Sequence, residues 1–187
     1  VFAAIRDEVP SVEKVVVTSL GEYLPEKPEI LVSFDPGGKA GELPNTITWK
    51  ELVESEPIQE LADLDIKKDI AMLQYTSGTT GNPKGAILTH FNVLANATNS
   101  AYGRPTYFDD IHVAVLPLFH VNGSNNSLNA PVLMGATIVL LVRFDLETLY
   151  QAIEKYRISV WIGITTMNIA FLQHPKFKDY DLSSLTF

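Results

Sequence analysis

The chain has 187 residues, the length of one ordinary domain, with 46% apolar and 19% charged residues, a composition that folds. Fourteen Lys and Arg against 22 Asp and Glu give a formal charge of −8, which argues against salt-driven binding to nucleic acid. The absence of cysteine excludes disulfide frameworks, thiolate metal sites and cysteine nucleophiles. No basic-then-apolar leader opens the sequence at Val1. The longest apolar stretch, Ala130 to Val142, is well short of the about 20 residues a membrane-spanning helix needs. A soluble piece of a larger protein is the expectation.

Residues 1–68 carry weak α/β signals. Val15-Val-Val-Thr18 is a β-branched run suited to a strand, and Phe34 to Gly41 is rich in turn residues. Thr48-x-x-Glu51 has the form of a capping box opening a short helix, with Pro57 beyond it. The pattern sharpens over residues 69–187. Ile70 to Tyr75 is expected as a strand, Thr76 to Gly85 as a loop and Ala86 to Leu88 as a brief strand. Thr89 is placed to cap the helix carrying Phe91, Val93, Leu94 and Ala97. Ile111 to Leu116 gives a strand stopped by Pro117, followed by a helical stretch around Leu128 to Met134 and a strand over Thr137 to Val142. Asp145 caps the clearest helix, with Leu146, Leu149, Ile153 and Tyr156 at helical spacing. Ser159 to Ile164 reads as a strand and Thr166 to Leu172 as a helix before Pro175. Strands alternating with helices predict an α/β fold with a helix-covered, mainly parallel sheet.

The chemistry concentrates in Tyr75-Thr-Ser-Gly-Thr-Thr-Gly-Asn-Pro-Lys-Gly85. Glycines at 78, 81 and 85 free the backbone so that amides can converge on an anion. Thr76, Ser77, Thr79 and Thr80 add hydroxyls, and Lys84 adds a full charge behind Pro83. Such a cradle suits a polyphosphate, since charge-assisted hydrogen bonds contribute roughly 1.5–3 kcal/mol each. It is not the Walker-type loop, because Pro83 stands five positions after Gly78 and Lys84 precedes Gly85. His90, His112 and His174 show no ligand spacing and are expected to be structural or solvent-facing.

This loop resembles the phosphate-loop signature of the adenylate-forming (AMP-binding) superfamily, which includes acyl-CoA synthetases, luciferases and peptide-synthetase adenylation domains. Leu116-Pro-Leu-Phe-His-Val-Asn-Gly123 is similar to that family's Pro-x-Phe-His-x-x-Gly segment beside the acyl pocket, and Asp181-Leu-Ser-Ser-Leu185 to the lead-in to its adenine-binding segment. Gln74-Tyr75 and Thr48-Trp-Lys-Glu-Leu52 lean toward the long-chain fatty acyl-CoA synthetase branch.

The resemblance implies an internal fragment of the large N-terminal domain, without the small C-terminal domain. It implies a parent enzyme that activates a carboxylic acid, fatty by this branch, with ATP and then transfers the acyl group to coenzyme A. Thr76, Ser77, Gly78, Thr79, Thr80, Gly81 and Lys84 would hold ATP phosphates, and Thr76 would also help bind Mg²⁺. Phe119, His120, Asn122 and Gly123 would border the acyl and adenylate pocket, with His120 catalytic. Thr165 stands where the family usually has a proline. The alternatives are a non-catalytic truncated nucleotide-binding fragment, an aryl-CoA ligase or a peptide-synthetase adenylation domain. The expected partners are a small carboxylic acid, ATP and CoA, with no nucleic acid and no transmembrane segment; peripheral membrane contact and homo-oligomer formation are left open. A cytoplasmic location is expected.

Overall fold

The structure, a computed structural model, describes residues 5–19, 21–24, 26–30, 46–76, 81–104 and 106–186. The turn-rich run from Phe34 to Gly41 and the loop residues 77–80 lie outside them. The chain divides into two compact units, Val1–Ala62 and Asp63–Phe187. Among the described residues, no helix is long and apolar enough to cross a membrane.

In the first unit, β1 (Val16–Val17) pairs in parallel with β2 (Ile47–Thr48), which leads directly into α1 (Trp49–Val53). The capping box forms in full. Glu51 N–H donates to Thr48 Oγ1 at 3.2 Å, and Thr48 N–H donates back to Glu51 Oε2 at 2.8 Å. Those bonds, the backbone one first, hold the Glu51 carboxyl below its ordinary range.

The second unit begins with a hairpin, β3 (Ile70–Thr76) against β4 (Lys84–Thr89), with a bulge between Ile70 and Met72. The pair is antiparallel. Thr76, Lys84 and Gly85 belong to its strands, which corrects the expected bounds of the loop. Gly85 pairs with Tyr75 across the ladder, and the Tyr75 ring lies over it. Thr89 then caps α2 (His90–Gly103), accepting from Asn92 N–H at 3.3 Å while Asn92 Oδ1 accepts from Thr89 N–H.

A three-stranded parallel sheet follows, in the order β6 (Thr137–Leu140), β5 (Ile111–Ala114), β7 (Val160–Trp161). All three strands are shorter than expected. The central strand β5 is buried from His112 to Ala114 and continues into buried Val115 and Leu116. Between β5 and β6 the helical stretch starts earlier than expected: a π-helical segment, Gly123–Asn129, runs into α3 (Ala130–Met134), and both pack against α2. Gly135, at φ 72°, ends α3 in the left-handed conformation.

Asp145 caps α4 (Leu146–Tyr156) by accepting from Thr148 N–H at 2.8 Å. Its buried face carries Leu149, Tyr150, Ala152 and Ile153, all fully enclosed. The Tyr150 ring lies against Phe171, His174 and Tyr180, and its hydroxyl donates to the Phe171 carbonyl. That carbonyl sits in the last turn of α5 (Thr165–Gln173), where helix acceptors lack intrahelical partners. Beyond α5 the chain returns along β7, where Thr186 N–H donates to Ser159 O at 2.9 Å. Asp181 is held down at about 2, first by the Ser183 side chain and backbone and then by Arg157.

Two outcomes follow from the packing. Tyr150→Phe should cost about 1–3 kcal/mol in urea unfolding, because it strands a buried acceptor while keeping the ring. Burial pushes the His112 imidazole below its ordinary value, with Arg104 adding to the shift and Asp110 opposing it. The unfolded chain therefore binds a proton more readily than the folded one. Stability carries no His112 penalty above pH of about 6.5 and falls as the pH drops below it. In urea titrations at pH 7.5 and 5.5, His112→Leu should flatten this difference.

Candidate functional site

The two sequence segments that carry the chemistry meet in the second unit. The hairpin mouth is the Thr76↔Lys84 pair, where Thr76 Oγ1 donates to the Lys84 carbonyl at 3.4 Å. Both side chains are exposed, and Gly81 has φ 87°, a left-handed conformation that favours glycine. Ser77, Gly78, Thr79 and Thr80 lie outside the described residues, so the structure places Thr76, Gly81 and Lys84 of the predicted phosphate cradle.

Two residues behind the mouth, Gln74 Nε2 donates to the Phe119 carbonyl at 3.1 Å. This bond crosses 45 residues and ties the hairpin to the turn after β5. Sequence reasoning missed this role for Gln74; the available signal was a polar amide in a strand whose partly buried positions are Met72 and Gln74.

The turn from Pro117 to Gly123 is held by its backbone. His120 N–H donates to Pro117 O at 3.0 Å, and Ser124 N–H donates to His120 O at 2.9 Å. A Cβ at Gly123 would stand 2.3 Å from Pro117 O and 3.1 Å from Leu116 O, so glycine is required by contact. The His120 ring is exposed, and its Nδ1 accepts from Asn122 N–H at 3.1 Å. In the neutral ring this leaves the proton on Nε2, a donor directed away from its own turn. Phe119 is 84% exposed, so its ring is not part of the core, although its carbonyl anchors the hairpin.

Behind this turn the π-helical segment carries a short chain of amides. Asn126 Nδ2 donates to Asn122 Oδ1 at 2.6 Å, Asn125 Nδ2 donates to Asn126 Oδ1 at 3.2 Å, and Asn125 Nδ2 also reaches Ser100 Oγ of α2 at 2.6 Å. Asn122 was legible in the sequence. Asn126 was not, although its four-residue spacing from Asn122 was the available cue. The site thus combines a cation and a hydroxyl at a hairpin mouth with a histidine N–H donor and an amide wall. These groups suit an anion with acceptor oxygens.

The sequence matches one enzyme family over nearly its whole length, and the mixed α/β fold matches solved adenylate-forming enzymes. The chain belongs to the AMP-binding enzyme family, whose model matches residues 5–187. It is 34% identical to the Long-chain-fatty-acid–CoA ligase of Bacillus subtilis (strain 168), over 93% of this chain and 32% of that protein. It is also 34% identical to 4-coumarate–CoA ligase 3 of Arabidopsis thaliana, over 72% of this chain and 24% of that protein. The fold matches the anthranilate CoA ligase AuaEII, in complex with anthranoyl-AMP, with a TM-score of 0.75, covering 98% of this chain and 32% of that one at 23% identity. The chain therefore spans 24% to 32% of the length of these relatives.

The contact at Gly123 gives a direct test. Gly123→Ala should destabilise the chain by about 1–3 kcal/mol in chemical denaturation, because the backbone of Pro117 must move. Gly103→Ala, where a Cβ meets nothing within 4 Å, should leave stability unchanged or raise it by up to about 1 kcal/mol.

Proposed function

We propose that this chain is the phosphate-gripping and acid-facing part of an ATP-dependent acid–CoA ligase. The observation that carries the proposal is the Gln74–Phe119 bond, which sets the Thr76/Lys84 mouth and His120 in one framework. The supporting relatives are named as CoA ligases for fatty and aromatic acids.

In this reaction a substrate carboxylate oxygen attacks the α-phosphorus of ATP. The bond to the bridging oxygen breaks and pyrophosphate leaves. The thiol sulfur of CoA, giving up its proton, then attacks the acyl carbonyl carbon, and AMP departs. No protein nucleophile is needed, so the chain contributes position and charge. Lys84 and the hydroxyl-rich loop from Thr76 to Thr80 would neutralise the β and γ phosphates as pyrophosphate separates. The His120 Nε2–H would donate to oxygens at the joined carboxylate and α-phosphate. Magnesium would supply countercharge to the phosphate oxygens there. The Thr76 hydroxyl, a hard oxygen at the mouth, fits as one of its ligands.

For the acid, the relative matched over 93% of this chain favours a fatty substrate, as do the Gln74-Tyr75 and Thr48 to Leu52 runs. The Asn122–Asn126 pair favours a second choice, an aromatic acid bearing a polar substituent, because amides beside the pocket reward a hydrogen-bonding group.

Carboxylate-dependent ATP–pyrophosphate exchange in the full-length parent tests the proposal. Lys84→Ala and Thr80→Ala should each lower exchange about 10- to 100-fold while the unfolding midpoint stays within error. Unchanged exchange in both variants rejects the phosphate cradle. Comparing palmitate with 4-hydroxycinnamate in the same assay decides between the two acids.

A further inference from the structure

One buried titratable group takes no part in the site. His112, the second residue of β5, is 3% exposed, and neither ring nitrogen has a hydrogen-bond partner among the described residues. A neutral imidazole carries one donor and one acceptor, and native interiors satisfy such groups with protein atoms or with ordered water.

The ring borders a small, partly open cavity of about 20 Å³. Ser100, Arg104 and Thr106 line it from the end of α2 and the turn beyond, Asn126 from the π-helical segment, and Val160 from β7. A single water needs about 10–15 Å³ of this kind of volume and two to four polar partners. The space therefore takes one water, whereas a carboxylate or phosphate group is too large.

The neighbouring hydroxyls keep suitable hydrogen-bonding capacity. Ser100 Oγ accepts from Asn125 Nδ2 and retains its own proton to donate. Thr106 Oγ1 gives its proton to Arg104 O at 3.2 Å and retains lone pairs to accept. Asn126, which also lines the cavity, is the residue whose amide holds Asn122 near His120.

We propose that this cavity binds one ordered water molecule, hydrogen-bonded to His112, which joins the middle strand of the sheet to the asparagine chain behind the candidate site. His112 is then a positioning residue: it contacts no substrate, and it steadies Asn126 and, through it, Asn122. The water site stands on the cavity and the ring alone, and it survives even if the proposed ligase activity is wrong.

The test is solution NMR on the labelled 187-residue chain, reading nuclear Overhauser contacts between long-lived water and the non-exchanging Val160 methyl protons. The contact is expected in the wild type and in His112→Gln, which keeps a donor and an acceptor. It is expected to vanish in His112→Leu, with shifted side-chain amide signals for Asn125 and Asn126. A wild-type chain without the contact overturns the water site. A contact that persists in His112→Leu removes His112 from it. Unmoved amide signals in His112→Leu overturn the positioning role.

Discussion

The site is organised by one steric constraint, the approach of Gly123 to the carbonyl of Pro117. A side chain at 123 would occupy the space of that oxygen, so the chain can reverse this tightly after β5 only with glycine. The reversal creates the His120 N–H to Pro117 bond, fixes the His120 ring through Asn122 N–H, and exposes the Phe119 carbonyl where Gln74 reaches it. It also starts the π-helical segment at Gly123, so the amide chain behind the turn inherits its position from the same contact.

The π-helical segment buries polar side chains, Ser124, Asn125 and Ser127, and Asn125 reaches α2 through Ser100. Burying amides is costly without partners, and Asn125 meets that cost with bonds to Ser100 and Asn126. Oriented polar bonds fix one arrangement of two helical elements, where an apolar contact would tolerate sliding. The aromatic group around Tyr150 does the opposite work at the end of α5, where ring packing dominates and a single hydroxyl bond completes the helix terminus.

Local signals were legible in the sequence, and contacts between distant residues were not. Thr48, Thr89 and Asp145 were read as helix caps because capping acts over three residues, and each cap is present. The helix before Pro175 and the strand at Ile70 were read from spacing and composition. The strand character of Thr76, Lys84 and Gly85 was hidden because these residue types favour loops, and their pairing depends on the opposite strand. Strand β7 ends at Trp161, two residues before Gly163, so it is shorter than the β-branched run suggested. For the site, the cradle stood out by residue type and order, and His120 through the family resemblance of its Pro-x-Phe-His-x-x-Gly segment. Gln74 and Asn126 did not, since their roles arise only when β3, the glycine turn and α2 are brought together.

The widened turn from Gly123 to Asn129 also sets a phase. An α-helix advances about 100° per residue, and the looser winding here delays that rotation before α3 begins. Loss of a single residue from these seven would restore ordinary winding and leave the elements on either side in nearly the same phase, since six tightly wound residues turn about as far as seven loosely wound ones. The segment therefore acts as a take-up in the backbone: one extra residue is absorbed in the winding without turning α3 out of phase with the glycine turn.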